Sequence, residues 1–205
     1  MNSRARKFTV RAVEADTWSD FERLFEAKGA PKYCWCMAWR ATKEESKQTD
    51  SASRKRAMQS RVQSGVPVGL LGYLDGDPVA WCSVAPRSSY RPLVRDNSSN
   101  EGIWSIACFF TRREFRGQGL TKRMLAAALR HARAHGATVV EAYPVDADSP
   151  SYRYMGFVPM FAEAGFVEIG REGTRRHVMQ RRLGVAEHHA HSSLERTSPG
   201  THLQR

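Results

Sequence analysis

The segment KFTVRAV (7–13) alternates apolar and polar residues and predicts an opening strand. In DTWSDFERLFEAKG (16–29), Trp18, Phe21, Leu24 and Phe25 share one stripe of a 3.6-residue period. With Asp16 or Thr17 as N-cap and Gly29 as a stop, that stripe predicts an amphipathic helix. The aromatic run PKYCWCMAWR (31–40) fits either a second helix start or an ordered loop. KEESKQTDSASRKRAMQSRVQSG (43–65) is polar on every side, as in a solvated helix or a partly mobile segment. GLLGYLDGDPVAWCSVAPR (69–87) carries Asp75-Gly76-Asp77-Pro78 between two apolar runs, a hairpin signal. After the loop 88–102, IWSIACFFT (103–111) is almost continuously apolar, so it reads as a strand covered on both faces. Leu120, Met124, Leu125, Ala128 and Ala132 then share a helical face, with Gly136 as the C-cap candidate. ATVVEAY (137–143) reads as a buried strand, PMFAEAG (159–165) as a short helix ended by Gly165, and FVEIG and RRHVMQRRL as two final strands.

The resulting order is β-α-(α)-β-β-β-α-β-α-β-β, an α/β (α+β) arrangement with no internal repeat and no second core. At 205 residues the chain has the size of one domain, expected to span 1–183. Residues 184–205 hold four of the seven histidines but little apolar material, and are expected to form a mobile tail. The basic N-terminus lacks the apolar centre of a signal peptide, and the longest apolar runs are interrupted by Gly, Pro and Asp. A cytoplasmic protein, monomer or homodimer, with no membrane partner is expected. Cys34 and Cys36 form one CxC arm while Cys82 and Cys108 stand alone, which is not the paired spacing of a zinc site. Buried reduced thiols and no metal are expected.

The net charge of +11 is concentrated in three places. Residues 40–64 hold seven Lys/Arg against three acids, and 111–123 and 171–182 each hold five against one. Such clusters suit nucleic acid or a polyanionic small molecule. No helix-turn-helix or RNA-binding motif accompanies them, so no nucleic-acid partner is expected. The middle cluster, TRREFRGQGLTKRML, is the most informative, because a strand, a tight loop and a helix start meet there. First-turn amides of a helix have no intrahelical acceptors, and Gly117 and Gly119 let backbone approach a ligand without Cβ contact. Arg116 and Lys122 add positive charge to this anion site. The GxxxxGK[ST] spacing of a P-loop and the GxGxxG of a dinucleotide fold are both missing.

These residues resemble the acetyl-CoA loop of the GCN5-related N-acetyltransferases (GNAT), whose pattern Q/R-x-x-G-x-G/A is read here as Glu114-Phe115-Arg116-Gly117-Gln118-Gly119. Met160–Phe166 (MFAEAGF) is similar to that family's LYEKLGF element. The resemblance covers roughly residues 7–183, with the element order matching throughout. It implies a single-domain GNAT fold, a mixed, splayed central sheet flanked by helices, with acetyl-CoA as co-substrate between the fourth and fifth strands. By the same resemblance, Arg116, Gly117, Gln118, Gly119, Leu120 and Thr121 would hold the pyrophosphate by their amides, with Lys122 on the basic rim. Phe109, Phe110 and Thr111 would pair with the pantetheine arm.

The implied reaction is direct attack of a primary amine on a thioester, which needs a proton acceptor, an oxyanion donor and an acid for the departing thiolate. An amide near Phe109 or Phe110 is the expected oxyanion donor. The family's tyrosine acid falls at Phe161, which cannot donate a proton. Glu141, a charge inside a strand, is the candidate base or water-orienting group, with Tyr143 on the same face as candidate acid. Ser105, near where some members carry a glutamate, is a candidate for holding a bridging water. An ion pair between Glu141 and an arginine is the competing reading, and Tyr152 and Tyr154 are rival acids. Tyr33, Trp35, Trp39, Arg40, Arg87, Tyr90 and Arg91 are candidates for the acceptor pocket, a set suited to a planar or acidic small-molecule amine. Acetylation of a protein or peptide and a catalytically weak acyl-CoA-binding module are the alternatives.

Overall fold

The computed structural model describes residues 6–95 and 99–184. Seven strands form one mixed sheet in the order β1-β2-β3-β4-β5-β7-β6: β1 Phe8–Ala12, β2 Leu70–Leu74, β3 Asp77–Pro86, β4 Ile103–Thr111, β5 Val139–Ala142, β6 Val167–Glu172 and β7 Arg176–Arg182. All neighbours are antiparallel except β4 and β5. A parallel pair needs a crossover, supplied by helix α3, Leu120–Ala134. The β2–β3 turn places Asp75 and Gly76 at φ 51° and 94°, the doubly left-handed geometry of a tight hairpin, so the Asp-Gly signal is obeyed.

Helix α3 covers one face of the sheet with the predicted stripe of Leu120, Met124, Leu125, Ala128 and Ala132, all buried. It lies so close that a Cβ on Gly72 of β2 would sit 2.6 Å from the Met124 sulfur. Gly136, at φ 82°, follows its last turn as the stop the sequence implied. The opposite face is covered by α1, Trp18–Glu26, and α2, Ser51–Gln63. Phe21, Leu24 and Phe25 of α1 are fully buried against Trp81 and Phe110, each contributing about 1.5–3 kcal/mol. The polar stretch 43–65 resolves into a helix because Asp50 caps Ser53 N at 2.8 Å and Met58 and Val62 face inward. Lys55 ties it to Glu22 and Glu26 of α1.

The run 31–40 is a turn-rich loop rather than a helix start. Trp35 and Cys36 both take left-handed φ, 47° and 57°, a conformation that costs roughly 1–2 kcal/mol at a non-glycine residue. A short helix α4, Val158–Glu163, and the hairpin β6–β7 complete the fold. Except for Gly184, the tail expected from 184 to 205 lies outside the described residues.

Candidate active site

The parallel pairing of β4 with β5 is brief: Ile103–Ile106 lie beside Val139–Ala142, and no pairing follows. Beyond that point β4 continues to Thr111 bonded to β3 alone, while the chain leaves β5 through Pro144 and returns beside Phe157 at Val145. The sheet therefore opens into a V. A groove of about 450 Å³ fills the opening, with Phe109, Phe110, Thr111, Arg116 and Thr121 on one wall and Arg153, Tyr154, Gly156, Phe157 and Met160 on the other.

Strand β4 also carries a bulge. Ser83 opposes Cys108 but Val84 opposes Ile106, which leaves Ala107 as the extra residue just where the V opens. Arg112 N donates to Val79 O at 3.0 Å. By the alternation of an antiparallel ladder, Phe110 then faces β3 with its amide, and Phe109 and Thr111 point theirs into the opening. Thr111 O, accepting from Arg116 Nε at 3.1 Å, points the same way. These are the groups an extended amide-bearing ligand needs in order to add to the strand edge.

At the foot of the groove, Gly117 and Gly119 take φ of 76° and 71°, and a Cβ on either would meet nothing within 4 Å. The first backbone bond at the start of α3 is Arg123 N to Gly119 O, 3.2 Å. Among the described residues, the amides from Gly117 to Lys122 have no acceptor. They form an open cradle at the N-terminus of a fifteen-residue helix, where a diphosphate fits by charge and by donor geometry. Of the cofactor candidates, Phe109, Phe110, Thr111, Arg116 and Thr121 line the groove, and Gly117, Gln118 and Gly119 shape the cradle beside it. Leu120 buries its side chain in the core, so only its backbone faces the cradle. Lys122 is engaged by Glu163 of α4. Glu114, at the departing first position of the motif, is held by Arg112 (Nε–Oε1 2.8 Å).

The three residues read as catalytic come together, but elsewhere. Ser105, Glu141 and Tyr143 have no exposed surface, and none lines the groove. Tyr143 O–H donates to Glu141 Oε1 at 2.5 Å and lies 2.9 Å from Ser105 Oγ. Gln180 Nε2 donates to Glu141 Oε2 at 2.7 Å, and Arg87 Nη1 stands 3.6 Å from Oε1. Burial first, and Glu141 second, push the Tyr143 hydroxyl well above its ordinary pKa. The structure thus follows the ion-pair reading of Glu141. A carboxylate inside a strand is tolerated because three donors surround it.

The acceptor candidates divide in the same way. Tyr33 is largely exposed, and partial burial with Tyr154 nearby raises its hydroxyl pKa. Trp39 is half-buried, with the Arg91 and Arg176 guanidinium carbons 4.8 and 5.0 Å from its ring and Tyr152 at 6.0 Å. Trp35 is core: it stacks on Phe25 at 5.6 Å and donates to Ser51 Oγ. Arg87 is buried against Glu141 and Asn100, while Tyr90 is buried on Arg40. These three are structural, not pocket-lining. Phe161 lies beneath Phe109, ring centroids 6.1 Å apart, fully buried. Of the far wall, Met160 opens the MFAEAGF element, while Arg153, Gly156 and Phe157 carry no chemical pattern in the sequence. Tyr154, by sequence a rival acid, is the tyrosine that lines the groove, 42% exposed.

The comparisons agree with this architecture. Among solved structures, an uncharacterized protein from Bacillus halodurans superposes with TM-score 0.58 at 14% identity, over 86% of this chain and 84% of that one. Ribosomal-protein-alanine N-acetyltransferase from Brucella melitensis gives 0.56 at 19% identity, over 85% and 99%. PaiA N-acetyltransferase from Thermoplasma acidophilum, in complex with coenzyme A, gives 0.54 at 11%, over 86% and 99%. No curated protein matches. Residues 14–157, most of the domain and all of β2 to β5 with the glycine loop, match the family described as Acetyltransferase (GNAT) family, and the chain belongs to it.

Proposed function

We propose that this protein is an acetyl-CoA-dependent N-acetyltransferase that acetylates a primary amine of a small molecule by direct attack. The observation that carries the reading is the unpaired run of amides from Gly117 to Lys122 at the foot of a splayed groove. The Thermoplasma relative with this fold is described in complex with coenzyme A. When bound, acetyl-CoA supplies a thioester for the amine to attack.

This chain's residues would divide the work as follows. The Arg116 amide is taken up by Arg113 O at 3.3 Å, so the amides from Gly117 to Thr121, with the Arg116 guanidinium, hold the diphosphate. The inward-facing amides of Phe109 and Thr111 fix the pantetheine arm, and the Phe109 N–H beside the bulge is the oxyanion donor. Tyr154 is the acid for the departing thiolate, since it is the phenol on the groove wall while Tyr143 is occupied by Glu141. Around Trp39, the Arg91 and Arg176 guanidiniums have no carboxylate partner among the described residues, which supports an acceptor that carries an acidic group.

Titration calorimetry with CoA and acetyl-CoA, followed by product mass spectrometry on a panel of amines, tests the reading. Binding and acetylation of carboxylate-bearing amines are expected. Faster turnover of polycationic aminoglycosides would reject the acidic-acceptor assignment, and absence of binding to either thioester or thiol would reject the enzyme. Phe161 favours one alternative, an acyl-CoA-binding module, which tight binding without turnover would establish.

A further inference from the structure

The basic stretches of this chain carry no exposed aromatic pattern in sequence, but folding brings exposed rings to two of them. Among the described residues, the exposed members of the Phe, Tyr and Trp set are Tyr33, Tyr152 and Tyr154, at 61%, 45% and 42%. They gather at the rim of the groove. Tyr154 lines the groove itself and lies near enough to Tyr33 to act on its hydroxyl. Tyr152 stands with its ring 6.0 Å from Trp39, and Arg91 N donates to Trp39 O at 3.0 Å, which joins the 31–40 loop to the segment after β3.

Four arginines are interleaved with these rings. Arg54 Nη1 donates to Tyr33 O at 2.7 Å. The Arg91 and Arg176 guanidinium carbons lie 4.8 and 5.0 Å from the Trp39 ring, and Arg176 also 5.8 Å from Tyr152. Arg175 Nη1 donates to Ser151 Oγ at 3.0 Å. Arg54, Arg175 and Arg176 reach only neutral oxygens, and none of the four has a carboxylate partner among the described residues. Asp146 and Glu172, the acids of neighbouring segments, are turned to His177 and Arg95 instead. The basic stretches 40–64 and 171–182 therefore both feed one face.

A carboxylate on a small molecule occupies one or two guanidiniums and leaves the exposed tyrosines unused. An acidic peptide neutralises charge but brings no planar rings. A strand that alternates phosphates with unstacked bases matches both features. RNA is the nucleic acid that regularly presents such unpaired segments, in loops, bulges and ends. The sequence pointed away from nucleic acid because this face has no linear motif: its residues come from 33–39, 54, 91, 152–154 and 175–176.

We propose that this rim is a binding surface for single-stranded RNA, with Tyr33 and Tyr152 as stacking platforms and Arg54, Arg91, Arg175 and Arg176 as phosphate contacts. The assignment goes beyond acetyl transfer. Arg91 and Arg176 are shared with the acidic-acceptor reading, yet strand binding is measured without acetyl-CoA or turnover, so either can fail alone.

Fluorescence anisotropy of the full chain with a labelled RNA of about 12 nucleotides, within the range of single-strand site sizes, decides it. Binding is expected, with log K falling against log salt at a slope of about −3, as four phosphate contacts give. A duplex of the same sequence is expected to bind more weakly. Arg91→Ala, at an exposed position, is expected to reduce the slope by about 0.7. Tyr33→Ala is expected to weaken binding about fivefold or more with the slope unchanged. Arg133→Ala, exposed near the end of α3 remote from the groove, controls for net charge and is expected to leave the affinity in place. Saturating CoA is expected to leave it in place as well. Overturning results are no binding at low salt, displacement of the strand by CoA, equal losses in Arg91→Ala and Arg133→Ala, or tighter binding to single-stranded DNA, to the duplex or to an acidic peptide.

Discussion

Two polar regions of this molecule look alike in sequence and behave oppositely in structure. The first is the buried set of Ser105, Glu141, Tyr143 and Arg87, joined by the half-buried Gln180, where a charged residue sits inside an apolar strand. The second is the loop from Arg116 to Thr121, which contains no residue that is unusual by type. In the first region each oxygen of the Glu141 carboxylate meets a donor: Tyr143 and Arg87 on one, Gln180 on the other. In the second, the Arg116 amide turns back to Arg113 O at 3.3 Å, while the successive amides from Gly117 to Thr121 meet nothing among the described residues and face an open groove. A polar cluster that satisfies itself supports the fold, whereas one left unsatisfied at a surface is arranged for something the chain does not contain. The contrast supports the proposal that the groove, rather than the residues with the most chemical side chains, is the site of acetyl transfer.

The largest test of that contrast is Glu141→Ala. Removing the carboxylate takes away the acceptor of Gln180, one acceptor of Tyr143 and the carboxylate 3.6 Å from Arg87, and breaking a buried pair in this way costs about 3–5 kcal/mol. A urea melt is expected to show that loss, while CoA affinity of the remaining folded protein stays at the wild-type value. A stable variant with abolished turnover would instead make Glu141 a reacting group. Next in size is Tyr154→Phe. If its hydroxyl protonates the leaving thiolate, kcat is expected to fall by about 10², with an unchanged melt and unchanged CoA binding. Tyr143→Phe is the matched control, expected to lower the melting point and to spare kcat. Exchange of those two outcomes would reverse the assignment of the two tyrosines.

Much of the fold could be read from periodicity because most elements bury one face. The stripes of α1 and α3 and the apolar strands β3 and β4 are packed where their patterns place them. Helix α2 was less legible, since only Met58 and Val62 turn inward and its position is set by ion pairs to α1 that no periodicity encodes. The 31–40 loop was illegible for another reason: Trp35 is buried by a left-handed turn at Trp35 and Cys36, which sequence patterns do not announce at non-glycine residues. In the site, the glycine loop was visible because Gly117 and Gly119 are demanded by positive φ. The partners of Glu141 come from a distant loop and from β7, so its role required three dimensions.

The cradle itself admits two smaller tests. Gly119→Val puts a β-branched residue at φ 71° and sends its side chain into the open space where the ligand belongs. The strain is about 1–2 kcal/mol, and the melt is expected to fall accordingly. CoA affinity is expected to fall further, by roughly tenfold to fiftyfold, because backbone approach is blocked. Equal losses would mean that the glycine serves only the turn.

Arg116→Ala is the mildest change. The guanidinium lies on the groove wall, bonded only to Thr111 O through Nε, so its removal leaves no buried group unpaired. Stability is expected to hold within about 0.5 kcal/mol. The loss of one exposed charge beside a diphosphate should weaken CoA binding about threefold to tenfold at low salt and by less near physiological ionic strength, where the Debye length is about 8 Å. Calorimetry at two salt concentrations reads both values. A loss independent of salt would show that Arg116 acts by shaping the loop, and the share of binding owed to its charge would pass to the amides, which salt does not screen in the same way.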